Sequence, residues 1–284
     1  MKVVSFNVPK TAMEALRIQV DLLPYFYDKL HEHSEVQLML IIQGEGTLIA
    51  GDYVGRFKAG EVYILGSHQP HVFRNDEHYY KTKRNMESQS ISIYFDRTYL
   101  GEHFWRLSEM KTAYQLLERT KKGLQVMGKT KDLLEKIIQS IQFQKSVDKI
   151  ISFLEILKIL SVSKELKLLS ITQQQEAYNP IESKRMNRIL NFSFTESHRK
   201  IYIREVANLA NLSEEAFCRY FKLRTGKTYT HFLNEIRISN ACRLLQRKEV
   251  EIQQVCFEVG FNNLSHFNRV FKTILGKTPR NYMN

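Results

Sequence analysis

The feature that most constrains this chain is a pattern it states twice. Ile203-Arg204-Glu205-Val206-Ala207 leads to Phe217-Cys218-Arg219-Tyr220-Phe221-Lys222, then Gly226-Lys227-Thr228 and Phe232-Leu233-Asn234. Ile252-Gln253-Gln254-Val255-Cys256 leads to Phe267-Asn268-Arg269-Val270-Phe271-Lys272, then Gly276-Lys277-Thr278 and Tyr282-Met283-Asn284. The offset is 49 residues at Val206/Val255 and 50 at Phe217/Phe267, as a one-residue insertion in a turn produces. Each copy reads as a short helix, a tight turn and a longer helix, the plan of a helix-turn-helix unit. Small residues, Ala207 and Cys256, mark where the two helices cross. Gly260 supplies the turn of the second copy and Asn211 that of the first, since Asn tolerates a left-handed backbone. Ser213 is an N-cap, Gly226 and Gly276 are helix terminators, and Thr278-Pro279 opens a last short helix. Phe217/Phe221 and Phe267/Phe271 fall four apart and face inward, while Arg219/Lys222 and Arg269/Lys272 fall on another face.

Between the copies, Thr228 to Arg247 carries Phe232, Leu233, Ile236, Ala241, Leu244 and Leu245 at helical spacing. Twenty helical residues span about 30 Å, close to the roughly 34 Å between successive major grooves on one face of DNA. The run Arg237-Ile-x-x-Ala241-x-x-Leu244-Leu245, then Ile252-x-x-Val-x-x-x-Val259-Gly260-Phe261, Phe267-x-Arg269-x-Phe271-Lys272, Gly276-x-Thr278-Pro279 and Tyr282 resembles the DNA-binding domain of the AraC/XylS family of bacterial transcription regulators. The resemblance covers residues 184–284. It implies that Glu215, Cys218 and Arg219 in the first copy, and Asn262, Asn263, His266 and Arg269 in the second, face bases. Arg suits guanine and Asn suits adenine in the major groove, while Lys222 and Lys272 suit phosphates.

Charge agrees with that reading. Residues 181–284 hold 18 Lys/Arg against 9 Asp/Glu, a net of +9, whereas residues 1–180 hold 24 against 21. Positive charge concentrated on the duplicated segment is what phosphate binding requires. The three cysteines, Cys218, Cys242 and Cys256, follow neither a zinc nor a disulfide spacing and fit a reducing compartment. No apolar run suits a signal peptide or a membrane span. The expected location is the cytoplasm, away from membranes.

The first hundred residues have a different period. Ile18, Val20 and Leu22 alternate. Then come Val36–Ile42, Thr47–Ala50, Tyr53–Phe57, Glu61–Leu65, His71–Phe73 and Ser90–Phe95, separated by glycine turns. Such spacing predicts a small antiparallel barrel or sandwich. His31-x-His33-x-x-x-Gln37-x6-Gly44 and Gly60-x5-Gly66-x-His68-x-x-His71-x-x-x-Asn75 resemble the two cupin motifs. Metal-binding cupins use two His and a Glu of the first motif and a His of the second. Here Gln37 holds the Glu position, a neutral and weaker ligand, and Glu35 lies two residues earlier. Imidazoles remain able to bind a transition metal, yet the expectation is a sensor pocket with neither metal nor cofactor, formed by His31, His33, Gln37, Tyr63 and His71. Neutral donors and acceptors there suit a sugar or polyol effector.

Beyond Gly101, Glu102–Thr120 and Thr130–Leu169 read as helices. The second is apolar on several sides (Ile150, Phe153, Leu154, Ile156, Leu157, Ile159, Leu160), which suggests one face on the barrel and another on a partner chain. Residues 171–183 are Gln-rich and polar, as a linker would be. Met186, Ile189, Leu190 and Phe194 then open the last domain.

The expected fold is therefore multi-domain α+β: a cupin-like β-barrel at residues 1–100, a helical dimerisation region at 101–170, a linker at 171–183, and an all-α domain of two helix-turn-helix units joined by a linker helix at 184–284. The expected function is a sequence-specific, effector-responsive, homodimeric transcription regulator, by resemblance an activator that also meets RNA polymerase, and not an enzyme. A metal-dependent cupin enzyme fused to a DNA-binding module, and a ligand-independent DNA-binding protein with a purely dimerising barrel, are the alternatives.

Overall fold

The computed structural model of the chain describes residues 15–80, 87–170, 180–245 and 250–283, with only the backbone at residues 99 and 180–183. The alternation of the first hundred residues becomes β1 (Leu16–Leu23), β2 (Val36–Gln43), β3 (Gly46–Ala50), β4 (Tyr53–Phe57), β5 (Val62–Leu65), β6 (His71–Asn75) and β7 (Ser88–Phe95). Because side chains alternate across a strand, β2 sends Leu38 and Leu40 to one face and Met39 and Ile41 to the other. In β7, Ile91, Ile93 and Phe95 share the face of Leu38, and Ser90, Ser92 and Tyr94 share that of Met39.

After β7 come α1 (Glu102–Arg106), α2 (Lys111–Thr120), β8 (Leu124–Val126), α3 (Gly128–Ile141), α4 (Val147–Val162) and β9 (Leu166–Leu168). The strands form two antiparallel sheets, ordered β1-β7-β2-β5-β8-β9 and β4-β3-β6. Met39, Ile41, Tyr63 and Leu65 of the first sheet meet Leu48, Phe57 and Phe73 of the second in one apolar cluster, with Phe26. An isolated antiparallel bridge between His31 and His71 ties the segment before β2 to the second sheet. Among the described residues the strands make two facing sheets and do not close into the expected continuous barrel.

The other face of the long sheet is covered by helices. Phe153 lies against Phe95, ring centroids 4.8 Å apart, and Ile156, Leu157 and Leu160 are buried with Leu116, Leu134 and Ile138. Residues 101–170 thus share their core with the sheet, which β8 and β9 extend. The single helix expected over Thr130–Leu169 is divided: Ser146, at φ 49°, turns the chain between α3 and α4. Helix α4 is apolar on several sides because the sheet, α2 and α3 all pack on it. Its exposed apolar residues are Val147, Ile151 and Val162, 65%, 57% and 73% exposed, and Phe143 just before the helix is 80% exposed.

The chain divides into two units, residues 3–177 and, in the main, 178–284. The second contains α5 (Pro180–Glu196), α6 (Ile203–Leu209), α7 (Glu214–Thr225), α8 (Tyr229–Leu245), α9 (Ile252–Glu258), α10 (Leu264–Leu275) and α11 (Pro279–Met283). Met186, Ile189 and Leu190 bury the inner face of α5. Most of the linker expected at 171–183 lies outside the described residues, and α5 begins at Pro180, where a missing N–H does no harm. Among the described residues no helix is long and apolar enough to cross a membrane.

Candidate functional site

The duplicated halves are built alike. Asn211 takes φ +55° and Gly260 φ +93° at positions 49 apart. At Gly260 any Cβ would collide with the Ser197 carbonyl oxygen and lie 2.9 Å from the His198 carbonyl carbon. Ser213 accepts from the Ala216 N–H (3.2 Å) and caps α7; Asn263, 50 residues on, accepts from the His266 N–H (2.9 Å) and caps α10. Gly226 and Gly276, at φ 71° and 74°, end the two helices with N–H bonds to the Lys222 and Lys272 carbonyls. Inside, Phe217 and Phe221 stand 5.8 Å apart between ring centroids and Phe267 and Phe271 5.6 Å apart, all four fully buried.

These buried pairs fix which face of each long helix is left outside. The exposed side chains of α7 include Glu215, Cys218, Arg219 and Lys222, at the three- and four-residue steps that share one face, with Glu214 and Leu223 exposed beside them. On α10 the matching face carries Ser265, His266, Arg269 and Lys272, with Thr273 and Leu275 also exposed toward the helix end and Asn262 and Asn263 exposed just before the helix. Among the described residues neither Arg219 nor Arg269 makes an ion pair, so both guanidinium groups are available to an outside partner. Two assignments change in character. The Asn263 oxygen is committed to the α10 cap, a role its 50-residue offset from Ser213 foretold. The Glu215 carboxyl is held below its usual range by its own backbone N–H and the Ser213 hydroxyl at the start of α7. Ser265, exposed on α10, is the counterpart of Glu215 at the 50-residue offset, and the duplication itself is the signal that identifies it.

The described part of α8 has 17 residues, a span of about 26 Å. Arg237 on α8 donates to the Ser197 carbonyl (2.9 Å) and the Arg199 carbonyl (2.7 Å), and lies 5.5 Å from the centroid of Phe261. It therefore ties the linker helix to the end of α5 and to the turn of the second copy.

In the other unit, His31, His33 and His71 come together. Ring centroids are 4.3 Å apart for His31/His71 and 5.0 Å for His33/His71. One ring nitrogen of each lies within 4.8 Å of the others. Each Nδ1 sits at a backbone carbonyl: His31 at Lys29 (2.9 Å), His33 at Glu35 (2.9 Å) and His71 at Gln69 (2.7 Å). A carbonyl only accepts, so each Nδ1 carries the proton. Burial holds all three rings below the usual histidine range, His31 at about 4, so each neutral ring keeps a lone pair on Nε2. The His71 Nε2 is buried and has no hydrogen-bond partner.

Gln37 reaches this cluster from β2. Its NH2 donates to Ser92 Oγ (3.0 Å) and Tyr94 OH (3.1 Å), and its Oε1 stands 3.3 Å from His33 Nε2. Glu35 does not join Gln37: its buried carboxylate lies 3.9 Å from His33 Nδ1, on the opposite side of that ring. Strand β2 begins only at Val36, so the alternation that would align residues 35 and 37 has not yet started. Tyr63 is placed in the apolar cluster with its ring 5.6 Å from Phe73, and its hydroxyl donates to Glu61. In its stead Tyr94, 5.4 Å from the His33 ring, borders the imidazoles. The neighbouring β1 adds a ladder in which Arg17 donates to Gln19 (3.4 Å) and Gln19 to Asp21 (2.8 Å), opposite Tyr94, Ser92 and Ser90. The polar alternation Ser90-x-Ser92-x-Tyr94 was legible in the sequence as the inner face of a strand. As a metal site the cluster offers three imidazoles and an amide oxygen, with a carboxylate in the second layer. The orphaned His71 Nε2 is compatible with a cation there.

Residues 206–284 match a family described as a helix-turn-helix domain. A Bacillus subtilis (strain 168) protein named as the uncharacterized HTH-type transcriptional regulator YdeC is 25% identical over 265 residues, covering 90% of this chain and 86% of its own. The HTH-type transcriptional activator RhaR of an Enterobacter species (strain 638) is 22% identical over 267 residues, covering 88% and 84%. Among solved structures, ToxT from Vibrio cholerae O395 aligns over 95% of this chain and 97% of its own, with 14% identity and a TM-score of 0.36.

Proposed function

We infer, from a chain that belongs to the AraC/XylS family of DNA-binding transcription regulators, that α7 and α10 enter successive major grooves of one operator and that the sheet unit responds to a small molecule. The observation that carries the DNA reading is the matched pair of exposed faces over identical buried phenylalanines, in a segment with a net charge of +9. Arg219 and Arg269 read guanine edges, Asn262 and His266 contact bases beside them, and Lys222 and Lys272 hold phosphates. Cys218 and Glu215 border the first groove. Because phosphate contacts release counterions, binding should fall steeply with salt. The protein is a regulator and not an enzyme.

The effector reading rests on the polar set His31, His33, Gln37, His71, Tyr94 and Ser92, which offers uncharged donors and acceptors beside the apolar cluster, with the Arg17–Gln19–Asp21 ladder and the Glu35 carboxylate at its edges. A sugar or polyol fits that chemistry better than a free anion. For the ligand to switch transcription it must bind one state of the protein better than another. The protein acts as a cytoplasmic homodimer that contacts RNA polymerase and activates, in keeping with the activator named among its relatives. The dimer face is the exposed apolar strip Phe143, Val147 and Ile151. The test of the effector reading is His71→Ala in a reporter strain: the effector response should vanish while DNA binding by residues 184–284 is retained. A normal effector response in that variant would remove the interior from the mechanism.

A further inference from the structure

The three imidazoles are arranged more strictly than a general polar pocket needs. All three Nδ1–H groups are turned to backbone carbonyls within two residues along the chain, at 2.7–2.9 Å. That is the orienting hydrogen bond metal-bound histidines make with their second nitrogen, because it fixes the tautomer and raises the basicity of the first. The remaining lone pairs then have no proton of their own. One of them, on the His71 Nε2, is buried without a partner, a condition that costs a folded protein stability unless something occupies the site.

We propose that His31, His33 and His71, with the Gln37 side-chain oxygen as fourth donor, bind a divalent transition ion of the zinc, cobalt, nickel or copper class. Imidazole nitrogen and amide oxygen suit those ions and not calcium or magnesium, which take oxygen sets. Tetrahedral coordination at about 2.1 Å puts ligand nitrogens about 3.4 Å apart, so nitrogens now within 4.8 Å of one another need only a small closure. The Gln37 amide is already turned the right way, its NH2 donating to Ser92 and Tyr94 and its oxygen directed to the His33 Nε2. With the amide reversed, its NH2 would donate to that nitrogen and its oxygen would accept from the two hydroxyls, a metal-free arrangement the test below distinguishes. Glu35 places a buried negative charge behind His33 without entering the ligand set. Four neutral ligands hold an ion less tightly than a set containing a carboxylate and leave its full charge to attract an oxygen ligand. Such a site exchanges its ion, as a sensor requires. The inference deepens the reading of this interior as the effector site and reverses the expectation that it holds no metal.

The experiment uses the full chain, stripped with a chelator and titrated with Co2+ and Zn2+ by calorimetry, with the visible absorption of bound Co2+ as a second readout. The expected result is one ion per chain. His71→Ala should weaken binding by at least the roughly 10–100-fold that loss of a second-layer partner causes. Gln37→Glu, nearly isosteric, should tighten it about tenfold or more, because a carboxylate replaces a neutral oxygen in the ligand set. Absence of binding by the wild-type chain, or equal affinity in His71→Ala, which retains all three cysteines, would overturn the proposal. Gln37→Glu binding no more tightly than wild type would remove Gln37 and the reversible site built on it. Melting shifts measured on the stripped chain with a sugar and polyol panel separate the two readings: a shift without ion binding leaves the effector site and overturns the ion alone.

Discussion

Gly260→Ala is the most informative single perturbation of the DNA-binding unit. The backbone there stands at φ +93°, where an L side chain costs roughly 1–2 kcal/mol. The added methyl would also collide with the Ser197 carbonyl oxygen and come within 3.0 Å of the His198 oxygen. Forcing a methyl into a filled site costs about 1–3 kcal/mol. Ser197 cannot retreat freely, because its carbonyl accepts from Arg237, and Arg237 is also bound to the Arg199 carbonyl and stacked on Phe261. The two effects together predict a loss of about 2–5 kcal/mol, a large share of the stability of an ordinary domain. The control is Asn211→Gly at the matched turn, where φ is +55°; relief of left-handed strain and the added flexibility of Gly offset, and stability should stay within about 1 kcal/mol. Urea unfolding followed by helical circular dichroism measures both. A change under about 1 kcal/mol in Gly260→Ala would refute the close approach of the second turn to the end of α5.

Asn263→Ala should lower stability by about 1 kcal/mol through loss of the α10 cap, read by the same unfolding experiment, and should weaken DNA binding without altering sequence preference. Leu157→Ala should cost about 2–5 kcal/mol as a core cavity, because Leu157 is buried inside its own chain; the dimer is therefore probed instead by Phe143→Glu with Ile151→Glu, which should yield folded monomers by sedimentation. A wild-type chain that sediments as a monomer at micromolar concentration would end the dimer proposal. Arg237→Ala should destabilise the unit by about 2–4 kcal/mol through two lost charge-assisted hydrogen bonds to carbonyls, discounted for partial exposure, and thermal melting would show no change if those bonds were idle.

Legibility in the sequence followed the length and regularity of each signal. The duplication located α6, α7, α9 and α10, their terminating glycines and their buried phenylalanines, because two phased copies constrain one another. It also contained the Asn263 cap, which the offset from Ser213 identifies once every position is compared. Strands β1 to β7 were visible as alternation. Strands β8 and β9 were not, since three residues carry no measurable period. The many-sided apolar α4 suggests a partner chain, whereas the sheet, α2 and α3 already cover most of its apolar sides and leave Val147, Ile151 and Val162 exposed; one sequence cannot tell an intrachain neighbour from an intermolecular one. The resemblance to the cupin motifs groups His31, His33 and His71, but the direction of their Nδ1 protons and the partnerless His71 Nε2 depend on backbone carbonyls no motif names. Tyr63 has the expected strand and an inward face, but it lies in the apolar cluster with its hydroxyl donating to Glu61 two residues away.

The central claim is that α7 and α10 each read bases in their own groove. Sequence preference measured by selection from random DNA, for the wild-type chain and for Arg219→Ala and Arg269→Ala, tests it most directly. Each variant should lose about 1–3 kcal/mol of binding. Each should relax preference at a different position, with the two positions about one helical turn, or roughly 10–10.5 base pairs, apart. Unchanged preference in both variants, or relaxation at one and the same position, would contradict the claim.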